Sequence, residues 1–290
     1  MYSMPFVSLF YNMLTVSELF IYPIKSLGGI AVSSALVTDR GLQYDRRWML
    51  VDDSNTFLSQ REIAAMALFH IAIKEEGLLV THSSNGAAII IPFEPATQEV
   101  LTVEVWSDHR KAIVVSHEAN QWFSNQLGIR CKLMYMPDVV KRRVDTRYAI
   151  DKEIVSFADG YPMLLIGQSS LDDLNNRLQG KLTMQRFRPN IVFTGGEPYE
   201  EDCLEAFTIN DIHFFGVKLC ARCIIPTINP HTATKGKEPL RTLTTYRMKN
   251  NKIYFGQNLV HQGNGVINVG DTIEVIKRKE QARNFKETDK

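Results

Sequence analysis

The stretch KLCARCIIPTINP, Lys218 to Pro230, puts two of the chain's four cysteines three residues apart, with Arg222 between them and a β-branched run closed by proline behind them. A thioredoxin-like redox pair needs the second cysteine to run into a helix, whose N-terminus stabilises the thiolate. After Cys223 the residues read instead as strand and then turn. A structural zinc site needs four ligands, usually with a second close pair, and Cys131 and Cys203 stand 72 residues apart. Two readings stay open alongside these. One is a single thiolate, favoured by the neighbouring Arg222, that binds a soft metal or carries a sulfur atom. The other is core packing, a common fate of free cysteine.

Composition narrows the class. The 290 residues are 44% hydrophobic and 22% charged, enough for one large or two ordinary globular domains. Basic and acidic residues number 33 and 32, a net charge of +1. That balance lacks the basic excess of a nucleic-acid or anionic-membrane binder, so neither partner is expected. No apolar run approaches the roughly 20 residues of a bilayer span. The leader MYSMPFVSLFYNML has no basic front end and no small-residue cleavage site, which argues against a signal peptide. Residues 1–12 read as a possible extension ahead of a second start at Met13. Four unevenly spaced cysteines do not make a disulfide framework, and a cytoplasmic location fits.

Alternating, β-branched runs fill the first third: SELFIYPI, GIAVSSALVTD, RRWMLVDD, LFHIAIKE, GLLVTH and AAIIIPF. TVEVW and KAIVVSH follow as a hairpin around SDHR. His117 to Gly128 reads as a short amphipathic helix ending on glycine, and Ser169 to Gln179 as a second with a serine cap. NIVFTGG, IHFFGVKLC and NVGDTIEVI return to strand, and Pro239 opens a short third helix. The last dozen residues look solvated, with 281–290 a frayed tail. No βαβ rhythm and no repeat stands out. The predicted class is mainly β with helices (α+β), one or two barrels carrying a few covering helices.

At this point the surroundings of the cysteine pair become informative. KLCARCIIPTINP followed by KGKEPLRTLTTYR and YFGQN resembles the MOSC domain. YPIKSLGGIAV, LQYDRRWMLVD, FLSQRE, FADGYPMLLIG, SSLDDLNNRL and RFRPNIVFTGG precede them in the family's order, so the resemblance spans about Thr15 to Val275. Within the family it is closest to the amidoxime-reducing components of mitochondria and their bacterial relatives.

The resemblance implies that Cys223 ligates molybdenum, the remaining sulfur ligands coming from a phosphate-bearing pyranopterin, while Cys220 is structural. Ala221, through its backbone, and Arg222 match cofactor-contacting positions. So do Lys25 and Ser26 in PIKS, Arg46 in YDRRW, and Arg188 and Asn190 in RFRPN. Fixed cations and backbone donors are what such an anion requires. Where the mitochondrial proteins carry Thr-Ser, this chain has Gly160 and Tyr161, as bacterial members do; the hydroxyl contact at 160 is lost and the backbone N–H groups remain. Asp159 falls near the metal, as a proton relay or a turn-forming acid. The basic run KRRVDTR, Lys141 to Arg147, reads as a solvated loop ahead of a docking patch for an acidic partner. Trp48, Trp106 and Trp122 read as core residues.

The implied activity is reduction of amidoximes, hydroxylamines or N-hydroxylated base analogues by a molybdenum cofactor. No cysteine follows Cys223, so no intrinsic iron–sulfur cluster is expected, and electrons would come from a separate ferredoxin or flavoprotein reductase. The alternative is a sulfur-carrier or cofactor-transfer protein with a persulfide on Cys223, or a cofactor store without turnover. The implied architecture joins residues 13–46 and 136–280 in a MOSC β-barrel, with a β-rich N-terminal module of residues 47–135 inserted and the site between them.

Overall fold

The computed structural model describes residues 13–279; the extension at 1–12 and the tail at 281–290 lie outside the described residues. Seven strands close into a barrel. In order around it run Met163–Gly167, Ile191–Thr194, Leu14–Ile21, Thr272–Arg278, Leu204–Ile209, Ile212–Ala221 and Lys252–Gln262, and the last pairs back onto the first. Closure leaves no edge among these seven to recruit another chain. Leu14–Ile21, from the start of the chain, sits between two C-terminal strands.

Alternation of side chains builds the two faces of the barrel wall. Met163 and Leu165 point inward with Val16, Phe193, Phe207, Phe214 and Leu259, all buried. Leu164 and Ile166 point outward, where Leu171, Leu174 and Leu243 from two short helices cover them. One of these helices, Gln168–Asn176, links two strands that pair in parallel. This is a single βαβ unit, which the sequence pattern does not reveal because its helix spans only nine residues. The serine cap expected there is absent as well. The N-cap is Gly167, and Ser170 lies inside the helix with its hydroxyl donating to Glu201 at 2.7 Å.

The inserted segment carries a second core. Trp48–Val51, Lys132–Tyr135, Asp108–Val114 and Val100–Val105 form a four-stranded antiparallel sheet. One face packs on the hairpin strands Phe69–Lys74, Gly77–His82 and Ala88–Pro92 through Trp48, Leu50, Phe69 and Leu133. The helix His117–Leu127 closes that core with Ala119 and Phe123. Its start is capped by Ser116, which accepts from the Ala119 N–H, and it ends on Gly128 at φ 69°, a left-handed turn that favours glycine. The opposite face of the sheet buries Met49, Val103, Val105 and Val114 against Phe157. Phe157 belongs to the segment leading into the barrel, so that segment is anchored on the inserted sheet.

Candidate functional site

Where the inserted sheet meets the barrel, the wall opens into a cavity of about 640 Å³. All eleven residues singled out from the sequence line it: Lys25, Ser26, Arg46, Asp159, Gly160, Tyr161, Arg188, Asn190, Ala221, Arg222 and Cys223. They arrive from five separate parts of the chain. Strand Ile212–Ala221 delivers Ala221 at its end, and Cys223 follows before the short 3-10 turn Ile225–Thr227. The helix that a thioredoxin-like pair needs is not there. Cys223 is partly exposed on the cavity wall; Cys220 packs against the outer cluster and its Sγ accepts from Arg222 Nη1 at 3.2 Å.

The floor is a buried polar network. Asp45, 3% exposed, takes two bonds from Arg46 Nη1 at 2.8 and 2.6 Å, one from the Tyr22 N–H at 2.8 Å and one from Asn190 Nδ2 at 3.0 Å. Burial pushes the Asp45 carboxyl up, and the pull of Arg46 opposes it. Asn190 also accepts from Arg46 Nη1 and from the Leu164 N–H, so one amide ties the floor to the barrel. Arg188 donates to the Leu27 carbonyl at 2.7 Å. Burial first, and then repulsion from Arg46, draw its pKa down to about 10.

The opposite wall centres on Asp159. Lys25 Nζ donates to its Oδ1 at 2.5 Å and to the Phe157 carbonyl at 2.9 Å. Trp106 Nε1–H donates to the same Oδ1 at 3.2 Å, and Arg61 Nη2 stands 3.6 Å from Oδ2. The surroundings desolvate the carboxylate, but Lys25, then Arg61 and the Trp106 N–H, outweigh that effect and hold it well below the usual range. Its side chain keeps 59% exposure, so solvent screens these pairs. Burial lowers the Lys25 ammonium, and Asp159 offsets part of the shift.

Three residues of this wall escape sequence reasoning. Arg142, inside the basic run taken for a solvated loop, is 3% exposed. It donates to the carbonyls of Ser156, Ala158 and Asp159 and to Asp108 at 2.7 Å, pinning the segment that presents Asp159 to Tyr161. Val144 of the run is buried as well, at 3% exposure, while Lys141, Arg143 and residues 145–147 are exposed and Arg147 is paired with Asp145. Trp106, expected in the core, is 38% exposed at the tip of the hairpin and lies beneath the Arg61 guanidinium, 4.3 Å from its ring centre. Its neighbour Arg61 sits in FLSQRE, a motif quoted for the resemblance without a site role. Trp48 is fully buried and Trp122 packs on the inserted core, as expected. Ser26, Arg46, Trp106 and Arg188 all adopt positive φ and all line the cavity. A side-chain-bearing residue held there costs about 1–3 kcal/mol, and such strain gathers at functional sites.

The profile described as MOSC N-terminal beta barrel domain matches residues 13–130, and that described as MOSC domain matches 152–274. The chain belongs to the MOSC-domain family. Among its MOSC relatives, mitochondrial amidoxime-reducing component 1 of Mus musculus is 30% identical over 279 residues, covering 90% of this chain and 82% of that protein. Mitochondrial amidoxime reducing component 2 of Homo sapiens is 31% identical over 244 residues, covering 81% and 72%. Molybdenum cofactor sulfurase of Arabidopsis thaliana is 32% identical over 275 residues, 83% of this chain but 32% of the longer protein. In this MOSC chain, among the described residues, no helix is long and apolar enough to cross a membrane.

Proposed function

We propose that this MOSC protein is a molybdenum-cofactor-dependent reductase of N-hydroxylated compounds such as amidoximes, hydroxylamines and N-hydroxylated base analogues, supplied with electrons by a separate ferredoxin or flavoprotein reductase. The observation that carries the reading is Cys223 on the wall of a cavity lined by eight Lys or Arg residues against three Asp. A wall of this sign holds an anion of several charges.

The residues present fit that cofactor. Arg61 and Arg222 each keep a buried Nε with no hydrogen-bond partner. A Cβ at Gly160 would meet nothing within 4 Å, so the backbone there stands open to a ligand. Among the described residues no three His, Cys, Asp or Glu side chains converge. A metal at Cys223 therefore needs its other ligands from the cofactor, and thiolate sulfur suits molybdenum. In this assignment Lys25, Arg46 and Arg188 face the charged end, Asn190 and Asp45 orient Arg46, and Ser26, Gly160, Tyr161, Ala221 and Arg222 complete the cradle. Asp159 is a holding group for Lys25 and Trp106, since a carboxylate kept ionised carries no proton at neutral pH. When bound, the cofactor supplies the two-electron cleavage of the N–O bond, the oxygen leaving as water after two protons arrive. A cytoplasmic location belongs to the same proposal.

Protein purified from a host that makes the cofactor tests it through metal analysis and benzamidoxime turnover with an artificial electron donor. Stoichiometric molybdenum together with benzamidine is the expected result. Transferable sulfane sulfur without molybdenum would establish the carrier reading instead, and molybdenum without benzamidine would establish storage.

A further inference from the structure

We infer that Trp106, backed by Arg61, is the specificity-determining wall of the cavity and selects uncharged aryl N-hydroxyl compounds, whose ring lies against the exposed indole. The inference rests on the reductase reading and names its substrate class.

Trp106 is the wrong residue for its position unless the cavity uses it. It occupies a two-residue turn between Val100–Val105 and Asp108–Val114, at φ 57°, where Asn, Asp or Gly is the usual choice. It is 38% exposed, whereas Trp48 is fully buried. Three contacts hold the ring in place: Phe57 with ring centres 4.8 Å apart, the Arg61 guanidinium at 4.3 Å, and the N–H bond to Asp159. The last of these crosses from the inserted sheet to the segment entering the barrel. Next to it Asp108 is bonded to Arg142, which anchors the turn to the same segment. A large flat side chain fixed from three sides, with apolar surface left on a ligand cavity, is built to pack against another flat group.

Charge decides which flat group. The carboxylates near this wall are already engaged, Asp159 by Lys25, Arg61 and Trp106, and Asp108 by Arg142 and Arg110. A cationic substrate would meet fixed cations here with no unengaged carboxylate to balance it. A neutral amidoxime carries no such penalty.

Benzamidoxime and acetamidoxime share the reacting group and differ by the ring. Titration of the wild-type protein with benzamidoxime, without an electron donor, should quench tryptophan emission, and Trp106→Phe should abolish the quench. In turnover, Trp106→Ala should raise KM for benzamidoxime about fivefold, from the loss of one aromatic contact, and leave KM for acetamidoxime within about twofold, at unchanged molybdenum content. Absence of quenching in the wild type, quenching retained in Trp106→Phe, or an equal rise of both KM values would overturn the inference. If Trp106→Ala does not fold, the Phe variant and the titration decide. Protein that reduces neither compound would refute the reductase reading, and the titration would still settle the wall.

Discussion

The guanidinium carbons of Arg46 and Arg188 each lie 4.3 Å from the centre of the same Tyr22 ring. Asp45 neutralises Arg46, but among the described residues Arg188 forms no ion pair with a carboxylate. Two cations gathered on one aromatic ring, with one carboxylate between them, leave a positive charge in the floor that an anionic group is needed to balance.

Inorganic pyrophosphate should therefore stabilise the cofactor-free protein. At ten times its Kd the gain is about 1.4 kcal/mol, or roughly 3 °C in Tm. Arg188→Gln should remove this shift, as read by thermal melting with and without pyrophosphate. An equal shift in the variant would show that the floor is not the anion site.

Cys223→Ser should lower molybdenum content and amidoxime reduction by more than about 100-fold while far-UV circular dichroism stays native, because a metal ligand is lost from a cavity wall rather than from a core. Cys220→Ser should keep activity within about tenfold, since Cys220 packs on the outer cluster. The opposite order of effects would reassign the ligand.

Arg142→Met should cost about 3 kcal/mol in urea denaturation, because it leaves three backbone carbonyls without their donor and Asp108 with Arg110 alone. Hydrogen exchange should accelerate across residues 156–161 and stay unchanged in the strand Phe207 belongs to. Uniform acceleration would mean that Arg142 supports the whole fold rather than the segment.

Glu201 is fully buried beside Asp202, with its Oε1 unpartnered. Burial, then repulsion from Asp202, lift its pKa from 4.5 to about 8. A raised folded-state pKa means that the stabilisation is complete below the ordinary glutamate value and is lost as pH rises through the folded one. Stability should therefore decline toward pH 9, and Glu201→Gln should flatten the decline. Urea midpoints at pH 6 and pH 9 give the comparison, and parallel slopes for both proteins would exclude Glu201 as the cause.

Much of this protein is determined by local order along the chain. Period-two alternation marks the strands and Gly128 ends its helix, while the motif residues Lys25, Arg46, Arg188 and Cys223 stand out through the resemblance to the MOSC family. Other features are invisible at that level. The strand Lys252–Gln262 is interrupted by Gly256 at φ 86°, which breaks the alternation. Arg142 looks like its solvated neighbours, because only the folded chain places three carbonyls and Asp108 around it. Trp106 looks like core, because hydrophobicity records what a side chain prefers and not which surface it reaches. Closing the barrel brings residues some 200 positions apart to one wall. Burial, pairing and charge balance there depend on distances that no local pattern encodes.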